Sequence, residues 1–418
     1  MLMKSADEQD SESDFYTAAA HLINCPCPET EEALISFLQD RISSCQSVKI
    51  TKRKIVEVLA RLGCINATPE IGKCLWSDDI YLVENAVWSL QILCCRDQDL
   101  VDKMIDLLKD DIANQRIIIQ SLSSLGIFKS VDVIRSYQSS SVPGIKSAAI
   151  SAIANLTNDF TRLPEISQNL FLPNQMDRQF AIQDLIDAHA LDQKTEIFSA
   201  PVSPVFKIRA VRKMFDADHI DSSLLLLMDS LLSCDLSIIN CVHRYDEVPP
   251  GESLVRDLYN TDFSRCYLAL KHLSVCSASD IFPLLKDSWI EEAHNDYGAH
   301  YFFICLFGLI PDWPFVCKTW IFDILLSSIS NIRPQFQKSR AAAILSLAKL
   351  EPVLLFDAFS EILSTRHSFS WDMRYALIQV VDDYIDLDVS SKNNMISDIL
   401  DDVQDPLLQA RARMALAR

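Results

Sequence analysis

An apolar, helix-like segment recurs about every 31 residues through the first half of the chain. Segments such as KRKIVEVLARLG, VENAVWSLQIL and QRIIIQSLSSLG align on one apolar anchor, and successive anchors are 31, 32, 31, 32 and 29 residues apart. The six anchors are Leu59, Leu90, Leu122, Ile153, Leu185 and Met214. Shorter apolar segments such as LVDKMIDLL lie between them. Each repeat is therefore predicted to be two antiparallel helices, which bury their apolar faces only by stacking on neighbouring repeats.

This pattern predicts an all-α fold, namely an α-solenoid of HEAT-like helix pairs. After residue 216 the segments RCYLALKHL, HYFFICLFGLI and RAAAILSLAKL continue it at a looser spacing of about 34–40 residues. The Pro-Pro-Gly run at 249–251 breaks any helix there. We expect a disordered acidic N-terminus over residues 1–14, N-terminal repeats over 15–216 and C-terminal repeats over 217–418, as one continuous solenoid.

Composition excludes several classes of function. Only 7 of 418 residues are glycine, against an ordinary share of about 7%, so phosphate-cradling loops and GxGxxG turns are not expected. The net charge of −19 argues against nucleic acid as a partner. No apolar run reaches the ~18 residues that a membrane span needs, and the polar N-terminus does not resemble a secretory signal. The 13 scattered cysteines are predicted to be small buried hydrophobes in a reducing cytoplasm, as on the apolar helix faces of Cys64, Cys266 and Cys305.

The position two residues before each anchor points to a possible ligand contact. It is occupied by Glu57, Trp88, Gln120, Ser151, Gln183 and Arg212. Because five of the six residues are polar, we expect this position to face water, and Trp88 is the exception. A surface indole is often covered by a ligand or a partner, so we expect Trp88 to contact a ligand. The alternative is that its ring packs against the edge of the neighbouring repeat.

A row of mostly basic residues lies about six positions before the anchors. Its members are Arg53, Glu84, Arg116, Lys146, Arg178 and Arg209. HEAT-type repeats commonly place an Asp in the turn between helices, where it pairs with such an arginine, and Asp110 and Asp111 suit that role for Arg116. Glu84 beside Trp88 is harder to explain structurally. Together with flanking arginines, this pair predicts a site for a planar, extended ligand that carries acid groups and N–H donors.

Two polar clusters in the second half could supply acid–base groups. HRYDE at 243–247 and HNDYGAH at 294–300 each bring His, Tyr and Asp close together in sequence. Loops are rich in such residues, so either cluster could be ordinary surface. We prefer HRYD, because it lies at the joint where the curvature of the solenoid should change.

Several of these features together resemble one protein family. The 31-residue helical repeats, the VENAVWSLQ helix after WSDD, and the closing QDPLLQARARMALA are similar to the HEAT-repeat bilin lyases of cyanobacteria, over residues 30–410 or so. The likeness is closer to the phycoerythrin-specific members of the E/F group. That resemblance implies attachment of phycoerythrobilin to a cysteine of a phycobiliprotein subunit. Some members of the group also isomerise the bilin to phycourobilin.

The resemblance also implies roles for individual residues. A bilin is an open-chain tetrapyrrole with two propionates, several pyrrole N–H groups and an electrophilic ethylidene carbon. The implied contacts are Arg116, Arg178 and Arg209 for the propionates, Asp79 and Glu84 for the pyrrole N–H groups, and Trp88 for the ring faces. The implied acid–base groups are Glu84, His243, Tyr245 and Asp246. The attacking thiolate comes from the acceptor, so the chain needs no nucleophile, and because the bilin is a substrate we expect no cofactor and no metal.

We therefore expect a phycobilin:cysteine lyase whose partners are phycoerythrobilin and the α subunit of phycoerythrin. Neither nucleic acid nor membrane insertion is expected. The alternatives are non-enzymatic. One is a HEAT-repeat scaffold or chaperone that holds a phycobiliprotein subunit without chemistry, and another is a factor in phycobilisome turnover.

Overall fold

A computed structural model describes residue 11 and residues 13–40, 45–109, 114–384, 387–401 and 403–417. Within these ranges the chain forms 25 α-helices and no strand, which confirms the all-α prediction. The predicted disordered N-terminus lies largely outside the described residues, and Asp14, at its end, already begins the first helix. Asp110 and Asp111, the predicted partners of Arg116, also lie outside them.

The chain divides into two compact units, residues 1–166 and residues 167–418. The boundary predicted after residue 216 falls inside the second unit, between two helices that pack on each other. The helices that begin in the first unit are α1 (Asp14–His21), α2 (Pro28–Asp40), α3 (Gln46–Arg61), α4 (Thr68–Lys73), α5 (Ile80–Ile92), α6 (Gln98–Leu107), α7 (Gln115–Ser124), α8 (Val131–Ser136), α9 (Pro143–Thr157) and α10 (Leu163–Asn169).

The first unit is a stack of helix pairs, as the repeat predicts. The anchor helices α3, α5, α7 and α9 pack on one another in that order, and the shorter helices α4, α6 and α8 each pack on the next anchor helix. All six predicted anchors, in both units, are buried. The solenoid repeat is therefore confirmed in this unit, because each apolar stripe is covered by the next repeat.

The helix ends of the repeats explain how the chain folds with so little glycine. Gly63 and Gly126 follow α3 and α7 with φ of +71° and +69°, the left-handed conformation that ends many helices. In the equivalent turns, Cys94 after α5 and His189 in the second unit adopt φ of +53° and +48° instead. The same helix stop is thus made at some cost in backbone strain where glycine is missing.

The second unit contains the remaining helices. They are α11 (Gln175–Asp187), α12 (Lys194–Ser199), α13 (Pro204–Met214), α14 (Ser222–Leu232), α15 (Gly251–Asp257), α16 (Phe263–Leu273), α17 (Ala278–Ser288), α18 (Tyr297–Leu309), α19 (Phe315–Ile329), α20 (Gln337–Leu350), α21 (Pro352–Asp357), α22 (Phe359–Ser364), α23 (Trp371–Asp383), α24 (Val389–Leu400) and α25 (Pro406–Leu416). The anchor segments predicted after residue 216 correspond to α16, α18, α20, α23 and α25.

Packing in the second unit is not limited to neighbouring repeats. α14 lies against α23 and α25, and bonded residue pairs of these helices are 150 and 182 residues apart in the chain. The hydroxyl of Tyr375 donates to the carbonyl of Leu225 (3.2 Å), and Arg411 bonds both Asp229 (3.0 Å) and Asp382 (2.8 Å). Helix α14 is therefore bonded to α23 and α25, and α13 packs on α14.

The predicted burial of the cysteines is confirmed only in part. All thirteen are free, and Cys64, Cys266 and Cys305 are buried, as predicted from their apolar helix faces. The prediction is wrong for the four that are exposed, which are Cys25, Cys27, Cys45 and Cys94. Among the described residues, every helix is too short or too polar to cross a bilayer.

Candidate functional site

The predicted site residue Asp79 is bonded both to its own helix and to the helix of the preceding repeat. It is the N-cap of α5 and accepts a hydrogen bond from the amide of Leu82. Both of its oxygens also accept from Arg53, at 2.8 Å each, and its side chain is only 7% exposed. HEAT-type repeats commonly show this pairing, in which an aspartate from a turn binds an arginine of the basic row. A carboxylate with these contacts is poorly placed to bind a pyrrole N–H group.

Glu84 and Trp88 lie one turn apart on α5 and are both half-buried. Burial raises the pKa of Glu84, and the charge of Arg53 opposes that rise. Trp88 packs on the core of the first unit and carries the guanidinium of Arg61 over its ring, 5.6 Å from the centroid. The indole is therefore half-buried, and its contact with Arg61 of α3 corresponds to the alternative in which the ring packs against a neighbouring repeat. Among the other residues at its repeat position, Ser151 is buried, so the expectation that all of them face water is wrong there.

Arg116 and Arg178 are buried, contrary to what binding a ligand carboxylate from solvent would need. Arg116 donates to the carbonyl of Gly144 (2.6 Å). Arg178, 1% exposed, donates to the carbonyls of Leu172 and Pro173 and to both oxygens of Asp262, at 2.7 to 3.2 Å. Because a desolvated guanidinium with such contacts is costly to free, we leave these two residues out of the proposed site.

The residues of the HRYDE segment each have a different environment. His243 Nε2 lies 2.9 Å from Asp262. The hydroxyl of Tyr245 donates to Asp257 (2.6 Å), and Asp246 is exposed. Burial followed by the hydrogen bond to Asp257 raises the pKa of Tyr245, so this phenol keeps its proton. The three side chains share no partner, and the segment does not form one acid–base centre within the described residues.

Asp262 joins this segment to the helices around it. It caps α16, accepts from Arg178 and lies against His243. Burial alone would raise the pKa of Asp262, but the bonds to His243 and the Ser264 amide and the charge of Arg178 together lower it. His243 and Arg178 thus stabilise the charged carboxylate, which holds the HRYDE segment on α16.

A cavity of about 500 Å³ opens in the second unit, and one predicted residue, Arg209, lines it. The cavity lies among α13, the end of α14, α18 and the first turns of α20 and α23. We call it the basic groove and define it by the residues Arg209, Arg212, Lys213, Tyr301, Lys338, Trp371 and Asp372. Its remaining walls are largely aliphatic side chains of α13, α14 and α20.

The charge of the basic groove contrasts with that of the chain as a whole. Four cations face one carboxylate, Asp372, in a protein whose net charge is −19. Arg209, Arg212 and Lys213 follow one another on α13 at positions i, i+3 and i+4, so they share one helix face. Such a cavity concentrates anions, and its cations can hold separate acid groups of one ligand.

Aromatic rings lie beside these cations. The guanidinium carbon of Arg212 lies 4.5 Å from the centroid of Trp371, and Arg212 also pairs with Asp405 at 3.2 Å. The ammonium of Lys338 lies 5.0 Å from the centroid of Tyr301. The basic groove therefore combines fixed positive charge with flat apolar surface, which suits a planar anionic ligand.

Sequence reasoning found little of this groove. The KIRAVRKM run showed Arg209, and Arg212 appeared only as a water-facing repeat position. Lys213, Tyr301, Lys338, Trp371 and Asp372 were missed, because they belong to segments up to 160 residues apart that meet only through tertiary packing. The basic density of α13 was the one local signal that could have pointed to them.

Comparison with known proteins gives the family. No family model matches the chain. The chain is 70% identical over 418 residues to the bilin biosynthesis protein CpeY of Synechococcus sp. (strain WH8020), covering 99% of this chain and all of the relative. The chain belongs to the E/F bilin lyase family. The lyase is also 32% identical over 392 residues to the uncharacterized phycocyanin operon protein Y of Pseudanabaena tenuis (strain PCC 7409), covering 92% and 91% of the two chains.

A solved structure is similar over part of the lyase. It is the complex of CpcE and CpcF of phycocyanin lyase from Nostoc sp. PCC7120, at 22% identity and a TM-score of 0.47, covering 54% of the lyase and 91% of that chain.

Proposed function

We propose that this lyase attaches phycoerythrobilin through a thioether bond to a cysteine of the phycoerythrin α subunit, in the cytoplasm, and that the bilin lies in the basic groove. The observation that carries the proposal is the groove itself, in which four cations and two aromatic residues line about 500 Å³. That volume is within the ~300–1,000 Å³ of ordinary ligand cavities. Full-length identity of 70% to a bilin biosynthesis protein supports a tetrapyrrole as the planar anion.

The groove chemistry matches the parts of a bilin. Arg209 and Lys213 on α13 would hold the propionates, since carboxylates favour charged hydrogen bonds to such groups. Trp371 and Tyr301 would face the pyrrole rings, and Asp372 would accept from the pyrrole N–H groups. Arg212 would stay on the Trp371 ring and extend the positive wall.

The lyase would act mainly by orienting two partners. The acceptor cysteine supplies the thiolate that attacks the ethylidene carbon. The lyase holds the bilin so that the thiolate can reach this carbon from only one face of the double bond. The predicted roles of Glu84 and Trp88 in binding the bilin, and of Glu84, His243, Tyr245 and Asp246 in acid–base chemistry, stay predictions. Isomerisation to phycourobilin stays a prediction as well.

Co-expression with bilin-making enzymes and single phycoerythrin subunits tests the proposal. We expect the α subunit to acquire a covalently bound bilin, located at one cysteine by mass spectrometry, while its absorption spectrum shows whether the bilin is phycoerythrobilin or phycourobilin. The β subunit and an α subunit lacking that cysteine are the controls. Colourless subunits in every pairing would contradict the proposed activity and favour the scaffold alternative.

A further inference from the structure

Lys338 is a cation of the basic groove for which folding gives no evident reason. It is half-buried in the first turn of α20, and its ammonium lies 5.0 Å from the ring centroid of Tyr301 and 5.6 Å from that of Phe263. Among the described residues it has neither a carboxylate nor a carbonyl within hydrogen-bond distance. Several other half-buried lysines do have such a partner. Lys52 and Lys271, for example, donate to the carbonyls of Leu38 and Ile239.

Its surroundings make the ammonium a readier proton donor than an ordinary lysine. Burial lowers the pKa of Lys338, and the positive end of the α20 dipole acts in the same direction. Cys305, Cys266 and Asp296 oppose the shift but do not cancel it. The titratable and charged groups around Lys338 are Arg209, Arg212 and Lys213 of α13, Cys266 of α16, Asp296, His300, Tyr301 and Cys305 of α18 and its cap, and Asp372 of α23. Cations predominate among those that line the groove.

The geometry points to Lys338 as the proton donor for bilin attachment, and this inference rests on the proposed function. The acceptor thiol first loses its proton to solvent. Its sulfur then forms a bond to the ethylidene carbon, while the π-electron pair of that C=C bond forms a new C–H bond at the ring carbon with a proton from Lys338 Nζ. The neutral amine regains a proton from water. The sum is addition of S–H across a double bond, with nothing oxidised or reduced.

A simpler role would be that of a fixed charge for a propionate. The two roles separate in Lys338→Arg, because arginine keeps the charge but hardly releases a proton. Lys338→Met removes both the charge and the proton. Lys318→Arg, on α19 and away from the groove lining, is the matched control.

The test measures binding and attachment separately, with purified lyase, free phycoerythrobilin and a bilin-free phycoerythrin α subunit. The change in bilin absorbance reports binding, and the bilin that stays on the subunit after denaturation reports attachment. We expect Lys338→Arg to bind bilin like the unsubstituted lyase but to attach it about 100-fold more slowly, the lower end of what a positioned proton donor contributes. Lys338→Met should lose attachment and bind bilin more weakly, since it also removes one of the four groove cations, and Lys318→Arg should change neither.

The pH profile supplies a readout that a fixed charge would not change. Attachment should rise with pH as the acceptor thiol ionises and fall again as Lys338 loses its proton, below the ordinary lysine pKa of about 10.4. The falling limb should disappear in Lys338→Arg. Attachment by Lys338→Arg at the normal rate and with the same profile would overturn the inference and leave the groove intact as the binding site. If the unsubstituted lyase neither binds nor attaches bilin, the proposed function fails first.

Discussion

Arginines at equivalent repeat positions have different roles in this lyase, and the difference is decided one residue at a time. Arg53 and Arg178 meet aspartates that cap the neighbouring helices, Asp79 and Asp262, and become part of the framework. Arg209 has no such partner among the described residues and is exposed in the basic groove. A basic residue at this position is therefore available to a ligand only where the rest of the fold supplies no acceptor for it, as Asp262 does for Arg178 from 84 residues further along the chain.

Charge reversal at Arg209 tests whether this single residue contributes to bilin binding. Arg209→Glu replaces a donor for a propionate by a repelling carboxylate, so we expect bilin binding to weaken at least ~10-fold, which corresponds to about 1.4 kcal/mol. Absorbance titration with phycoerythrobilin measures the change. Arg256→Glu, an exposed position of α15 outside the groove lining, is the matched control. Equal affinity in the two variants would place the bilin elsewhere.

At the scale of the secondary-structure element, the WSDD segment, which resembles a motif of the lyase family, stabilises the start of a helix. Of its two aspartates, Asp78 is exposed, whereas Asp79 caps α5 and ties it to α3 through Arg53. The cap starts the helix that carries Glu84 and Trp88, so the motif positions these side chains without itself facing a ligand.

Substitution of Asp79 tests that interpretation. Asp79→Ala removes the cap and leaves Arg53 unpaired, so the free energy of unfolding should fall by about 2 kcal/mol. Asp79→Asn keeps a capping oxygen and should cost less. Asp78→Ala should change stability by no more than ~0.5 kcal/mol. Urea unfolding followed by circular dichroism gives all three values, and an Asp79→Ala chain as stable as the control would contradict the capping role.

At the scale of the whole molecule, the second unit is held by contacts that skip many repeats. Arg411, fully buried near the end of the chain, joins α25 to α14 through Asp229 and to α23 through Asp382. α13 and α14 are thereby kept beside α20 and α23, the helices that form the basic groove. The bonds of Arg411 therefore help to hold together the helices that line the cavity.

Removal of the Arg411 charge should be costly for this reason. Arg411→Met leaves the buried carboxylate of Asp382 and the partly buried carboxylate of Asp229 without their common partner, and we expect a loss of about 3–5 kcal/mol in the free energy of unfolding. Burial already raises the pKa of Asp229 against the effect of Arg411, so this carboxylate would become protonated more readily in the variant. Arg413→Met, an exposed position of the same helix, is the control. Equal thermal unfolding temperatures in the two variants would contradict the role of Arg411 in stabilising the second unit.

Particular residues show which features could be predicted from the sequence and which could not. The anchors and the helix pairs were predicted, because helical periodicity and stacking are properties of segments some thirty residues long. The burial of Arg116 and Arg178 was not, since it depends on the groups that face them from other helices. The different partners of His243 and Tyr245 were likewise invisible in a five-residue loop.

By itself, the sequence determined an all-α repeat protein and its membership of a lyase family, because both are encoded in local periodicity and in the order of residues. Only the tertiary structure decided which charges are available to a ligand. A guanidinium or an ammonium is neutralised or left free by groups that lie close in space and far apart in the chain, and the basic groove is assembled from just such segments.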